Sequence, residues 1–235
     1  KKDGSFWWGT FLGILFTLEF VFIYLGLGYT NASRAVIFLY TTPFLIAIGT
    51  HFFLPEEKLI STQYLGLIIA FIGILVAFYE SLGMPTKTTL FGDLMIFLGA
   101  VFWSATVIVV KATPLANITA NKSLLYQLAV SALLLPLASI ILNEPGINSI
   151  NTSTVISLIY QGIWVAFITY LIWYWLILKY PAPQVSSFTF FTPIFGVLAG
   201  WMLLKESLSI ELLIAMFLIA LGIWFVNKDD KAIKR

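Results

Sequence analysis

The chain of 235 residues has no cysteine and only one histidine, His51. Without thiols it can form no disulfide and offers no thiolate metal site or cysteine nucleophile. One imidazole also leaves no cluster of His, Asp and Ser at a single depth for a membrane hydrolase or a metal centre. Charge is scarce too. Only 10% of the residues are Asp, Glu, Lys or Arg, against roughly 25% in an ordinary soluble domain. So few charges cannot cover a water-facing surface, so lipid must. A net charge of +2 with no dense Lys/Arg block argues against a nucleic-acid partner. No Gly-Lys-Ser/Thr phosphate loop is present, so ATP is not the motor, and neither cofactor nor metal is expected.

What fills the chain instead is apolar: 60% of residues are hydrophobic and 17% aromatic. A helix needs about 20 apolar residues to cross the hydrocarbon core. Eight segments qualify, at 6–28, 34–53, 62–80, 91–111, 122–142, 154–178, 184–204 and 210–227. The connections are short and rich in turn residues, as at Gly83-Met84-Pro85-Thr86-Lys87 and Asn143-Glu144-Pro145-Gly146. The first apolar run is too long for a cleavable signal and lacks a small-residue cleavage site. The expected class is therefore an all-α polytopic membrane protein. An even number of spans puts both ends on one side. That side would carry 10 Lys and Arg against 3 (Arg34, Lys87, Lys205) on the other, and the excess of positive charge places both termini in the cytoplasm.

The sequence around Pro43 recurs around Pro193. Phe38-Leu39-Tyr40-Thr41-Thr42-Pro43-Phe44 is echoed by Phe188-Thr189-Phe190-Phe191-Thr192-Pro193-Ile194. Each copy runs on to an acidic corner, at Glu56-Glu57 and at Glu206, and then to a closing run, Gly73-Ile74-Leu75-Val76 or Gly222-Ile223-Trp224-Phe225. The offset is 150 residues at the prolines and 149 at the corners and glycines. Pro43 lies in the second span and Pro193 in the seventh. An odd number of steps separates them, so the two copies are expected to cross in opposite directions, an inverted repeat of the kind found in secondary transporters. The later copy begins near Leu90. The same offset puts the start of the earlier copy about two spans ahead of Lys1, which leads to the expectation of two further N-terminal spans.

These motifs resemble the drug/metabolite transporter superfamily, in particular its EamA-like ten-helix members. Ala32-Ser33-Arg34-Ala35 and Ala182-Pro183-Gln184-Val185 sit ahead of the helices with a central proline. Glu57 and Glu206 match the family's acidic corner, and Gly73-Ile74 and Gly222-Ile223 its closing helix. Gly92-Asp93-Leu94 followed by Ala100-Val101-Phe102-Trp103-Ser104-Ala105 looks like the opening of the second half. The resemblance implies eight helices of a five-plus-five fold. Residues 1–89 would hold the last three helices of the first repeat, and residues 90–235 the whole second repeat. It further implies export of amino acids or related metabolites by alternating access.

Glu19 is the only ionisable residue deep inside a span. A carboxylate at that depth costs about 3 kcal/mol on insertion scales, so it must be protonated, paired or turned toward a watery cavity. It reads either as a proton-coupling or substrate-amine site or as a neutral side chain bonded to a neighbouring helix. Pro43 and Pro193 each disturb the carbonyl four residues back, at Leu39 and Thr189. The freed carbonyls could line a cavity or form a hinge, or Thr42 and Thr192 could repair a static kink. Ser186, Thr189, Pro193, Gly196 and Gly200 share one face of the seventh span, suited to close packing as well as to cavity lining. Further cavity candidates are Tyr40, Thr41, Trp103, Thr106, Tyr160, Gln161, Trp164 and Phe190. The aromatic stripe with Tyr160 and Trp164 could equally face lipid. Gly9 and Gly13 read as a helix contact, and His51 as an interface residue. Together these features suggest an inner-membrane secondary transporter of small organic solutes. The rival is a helical module that holds partner proteins in the bilayer, and it would lack polar groups converging inside.

Overall fold

The structure, a computed structural model, describes residues 3–144, 146, 150–199, 202 and 210–228. Lys205, Glu206 and Gly200, which entered the charge, repeat and small-residue patterns, lie outside these. So do Lys1, Lys2 and the basic residues after Lys228. All described secondary structure is helical. It runs α1 (Ser5–Leu27), α2 (Ala32–Leu39), α3 (Thr42–Phe53), α4 (Ser61–Ala77), α5 (Lys87–Ala112), α6 (Ala120–Ile141) and α7 (Thr152–Ile159). It then continues through α8 (Tyr170–Lys179), α9 (Ala182–Ser187), α10 (Phe191–Ala199) and α11 (Ile210–Asn227). Among the described residues, six stretches are long and apolar enough to cross a membrane: α1, Ala32–Phe53, α5, α6, Thr152–Lys179 and α11. α4 is apolar but shorter, at 17 residues. It stops at Ala77 rather than near residue 80, because the chain turns through a short 3-10 segment, Tyr79–Leu82, that carries Glu80 and leads to Gly83.

Side-chain caps start several of these helices. Asn31 accepts the Arg34 N–H at 2.8 Å, Thr86 that of Thr89 at 3.1 Å, and Asn151 that of Thr154 at 2.8 Å. Each satisfies one of the N–H groups that a helix start leaves unpaired.

Neither the span with Pro43 nor the span with Pro193 is one continuous helix. The second breaks at Tyr40-Thr41, so Pro43 falls in the first turn of α3, where its missing N–H costs nothing. The carbonyl it frees at Leu39 accepts the Thr42 hydroxyl at 2.7 Å. That is the repair read from the sequence. In the seventh span α9 gives way to a 3-10 turn, Phe188–Phe190, before α10 carries Pro193. The same break thus recurs 150 residues on.

Small residues set the packing. α4 and α11 run antiparallel and nearly touch, with Gly66 against Gly222 and Val226, and Gly73 against Ala215 and Ile219. A methyl on Gly222 would meet the Ala70 nitrogen and the Gly66 carbonyl oxygen at 2.5 Å, so only glycine fits. Gln63 of α4 adds a hydrogen bond to the Val226 carbonyl at 2.9 Å. α1 lies antiparallel to α5 through Gly26, Gly92 and Gly99, and parallel to α6 through Gly9 and Gly13, which face Tyr126 and Val130. Two buried clusters result. One joins α2–α4 to Phe190, Ile194 and α11, and the other joins α1, α3, α5, α6 and α8.

The sixth span departs most from regular geometry. Tyr160–Thr169 is wound as a π-helix, and the Thr169 hydroxyl reaches five residues back to the Trp164 carbonyl at 2.9 Å. No residue of Thr152–Thr169 is buried. Packing resumes in α8 with Tyr174 and Ile177.

Candidate functional site

Glu19 sits near the middle of α1, 5% exposed. The surrounding helix turns are pulled tight against α5, where Gly99 lies beside the Glu19 backbone carbonyl and Ile23. Its carboxylate makes no hydrogen bond among the described residues. Its polar neighbours come from α8, where Tyr170 and Tyr174 lie close enough to feel its charge. Phe16, one turn earlier, meets the Tyr170 ring edge-on at 5.5 Å and Phe20 at 4.7 Å. Tyr174 donates to the Gln127 side-chain oxygen. That leaves the Gln127 amide nitrogen and the neighbouring Ser123 hydroxyl buried without partners. A free amide N–H and a free hydroxyl thus lie toward the start of α6, while the Glu19 carboxyl lies deeper along α1, since α6 runs parallel to α1 with Tyr126 level with Gly9. Buried polar groups are nearly always satisfied, and the two unpaired ones on α6 mark a place where a small polar group can bind.

A second group of candidates gathers at the two helix breaks. Tyr40 stacks on Phe190 at 5.7 Å with 27° between the rings. Both rings are buried. Several candidate hydroxyls bind carbonyls of their own span. Thr41 bonds the Phe38 carbonyl at 2.6 Å, Thr106 that of Trp103 at 2.6 Å, Ser186 that of Pro183 at 3.0 Å, and Thr189 that of Ser186 at 2.7 Å. Trp103 approaches Trp173 of α8 at 6.2 Å. Beside Trp173 a cavity of about 490 Å³ opens between α8, α9 and α11, lined by Trp173, Tyr180, Gln184, Phe188, Thr189 and Asn227 among others. Its walls are largely apolar, with neutral hydrogen-bonding groups from Trp173, Tyr180, Gln184, Thr189 and Asn227. Such a lining suits an amphipathic solute.

Tyr160, Gln161 and Trp164 stand apart from both groups. All three are exposed on the π-helical stretch, on the lipid-facing side of the alternative read from the sequence. His51 is also exposed. Among the described residues no three His, Asp or Glu side chains converge.

The sequence reading missed the partners that tie the two ends of the bundle. Arg34 is buried and forks onto Asp93, which also accepts from the Thr30 hydroxyl at 2.7 Å, while Arg34 donates to the Ser81 carbonyl at 3.0 Å. At the opposite end Lys111 pairs with Glu57, and Lys122 with Asp3. Lys122 and Ser5 hold the Asp3 carboxyl below the usual carboxylate range. A signal for the first pair was present in the sequence. Asp93 opens an apolar helix, and a charge there needs a counter-ion at the same depth. Gln127 and Ser123 gave less warning, since both sit at the start of a helix where an interfacial role reads equally well.

Comparison with known proteins gives a consistent picture. The model of the EamA-like transporter family matches residues 1–79 and 90–228. The uncharacterized transporter YoaV of Bacillus subtilis (strain 168) is 24% identical over 202 residues, spanning 86% of this chain and 68% of its own. An uncharacterized transporter of Archaeoglobus fulgidus is 28% identical over 214 residues, spanning 88% of this chain and 71% of its own. A solved crystal structure superposes with a TM-score of 0.80 at 23% identity, covering 94% of this chain and 76% of that one. That last likeness concerns the fold alone.

Proposed function

The chain belongs to the EamA-like transporter family, and on that premise we propose that it is a secondary transporter exporting small organic metabolites, amino acids among them, across the inner membrane. Transport runs by alternating access, and protons are coupled through Glu19. The observation that carries this reading is the Glu19 carboxyl itself, buried near the middle of a span with no hydrogen-bond partner among the described residues. A purely structural carboxyl at that depth would bond a neighbouring helix, because leaving it unbonded adds to an insertion penalty of about 3 kcal/mol. A bound proton removes the charge that would otherwise need a counter-ion there, and a solute ammonium would supply both the counter-charge and the hydrogen bond.

The two-repeat organisation, 1–89 and 90–235, belongs to the same proposal. Support comes from the helix break that recurs ahead of both prolines and from the antiparallel crossing of the glycine-bearing closing helices α4 and α11. An inverted duplication requires both. With both termini cytoplasmic, Asp3, Glu57 and Lys111 lie at the cytoplasmic end, and Arg34 and Asp93 at the external end.

The rival reading, a module that holds partner proteins, draws on the exposed face of Thr152–Thr169. Purified protein in liposomes decides between them. A panel of radiolabelled amino acids and related metabolites, with and without a pH gradient, should reveal at least one solute whose flux depends on the protein and responds to the gradient. Flux indistinguishable from protein-free liposomes across the panel would favour the scaffold.

A further inference from the structure

The corner between α8 and α9 is held from outside its own hairpin. Tyr180 leaves α8 in an extended conformation, Pro181 follows, and α9 starts at Ala182. The Lys111 ammonium, at the end of α5, donates to the Tyr180 carbonyl at 2.6 Å. The Glu57 carboxylate, at the turn after α3, accepts the Ala182 N–H at 2.8 Å. Lys111 and Glu57 pair with each other, so one ion pair grips both sides of the corner. Lys179, the other cation nearby, lies over the Trp175 and Tyr180 rings at 4.8 and 5.6 Å. Directly behind the corner is the 490 Å³ cavity, with Tyr180, Gln184 and Thr189 in its wall.

From this geometry we infer that Glu57 and Lys111 are positioning residues of a gate. Together they latch the Tyr180–Ala182 corner over the cavity and control entry from the end of the bundle that carries Asp3. The inference rests on the transporter reading only for its purpose; the latch itself stands on the bonds above. The two ends of the bundle differ in the sense that a gate requires. Arg34 and Asp93 have side chains only 7% and 3% exposed and are backed by Thr30 and Ser81, so they form a fixed clamp. Lys111 and Glu57, at 11% and 18%, border on water. Water can take over their bonds when the corner moves, and a partly exposed pair of this kind opens at low cost. Releasing it frees the Tyr180 carbonyl and the Ala182 N–H together, and Pro181 between them has no N–H to donate; its carbonyl accepts the Val185 N–H at 3.1 Å, a bond that moves with α9.

The test uses the absence of cysteine. Thr189→Cys introduces a single thiol in the cavity wall, and its reaction with an impermeant maleimide is timed in inside-out and right-side-out vesicles. Lys111→Met removes the charge and both bonds, and should raise labelling from the Asp3 end about five-fold, the scale of a lost partly exposed ion pair. Lys111→Arg, which keeps the charge and the donors, should label like the parent. Glu57→Gln should move in the same direction as Lys111→Met. A parallel cysteine at Lys87, at the far end of the bundle, reports general loosening. The gate is overturned if Lys111→Met labels no faster than the parent, if Lys111→Arg labels as fast as Lys111→Met, or if labelling at position 87 rises as well. None of these readouts requires transport. If no solute were transported while the latch still governed labelling, only the transporter reading would fall.

Discussion

The Arg34 guanidinium and the Asp93 carboxylate are paired in the interior at one end of the bundle, and they join the start of the second span to the start of the fourth. A buried pair adds little over a well-packed apolar pair, but removing one partner strands the other charge. Arg34→Met or Asp93→Asn alone should therefore cost about 3–5 kcal/mol of stability, and the double change Arg34→Met with Asp93→Leu should recover most of it. Denaturant unfolding in mixed micelles measures all three. If the single and double variants prove equally stable, the pair does not bear on the fold.

Glycine contacts give a sharper contrast. Gly222→Ala places a methyl 2.5 Å from backbone atoms of α4, and the strain should cost about 1–3 kcal/mol. Gly162, on the π-helical stretch, has open space where its methyl would go. Gly162→Ala should be neutral or stabilising by up to about 1 kcal/mol. Thermal unfolding of the two variants side by side checks the difference.

Tyr40 and Phe190 stack across the two helix breaks. A double-mutant cycle to alanine should return a coupling of about 0.5–1.5 kcal/mol. Zero coupling would mean that the two broken spans pack without depending on each other.

Much of this architecture was legible in the sequence, because length and hydropathy are local properties. The apolar runs, the Gly9/Gly13 contact and the proline motif each sit within short windows. The Thr42 repair of the Leu39 carbonyl could be foreseen because Thr42 is next to Pro43. What escaped depends on distant residues. The sequence offered two continuous proline-kinked helices, whereas both spans break one turn earlier, since a proline is better tolerated at a helix start than inside one. Glu19 stood out as a lone mid-span carboxyl. Tyr174 of α8 belonged to the aromatic stripe with Tyr160 and Trp164 that could as well have faced lipid, and only packing separates that stripe into a buried α8 end and an exposed π-helical end.

Orientation is open to direct chemistry. Cysteines placed at Lys87 and Asn143 should react with impermeant maleimide in intact cells, while cysteines at Lys58 and Lys111 should react only after permeabilisation. The reverse pattern would turn the bundle over and exchange the two ends.

The role of Glu19 rests on a single substitution. Glu19→Gln keeps the size and hydrogen-bonding capacity of the side chain but removes its exchangeable charge. In proteoliposomes loaded with a transported solute, this variant should lose uptake driven by a pH gradient while retaining solute-for-solute exchange. If the two activities fall together, or if gradient-driven uptake survives intact, Glu19 does not carry the proton.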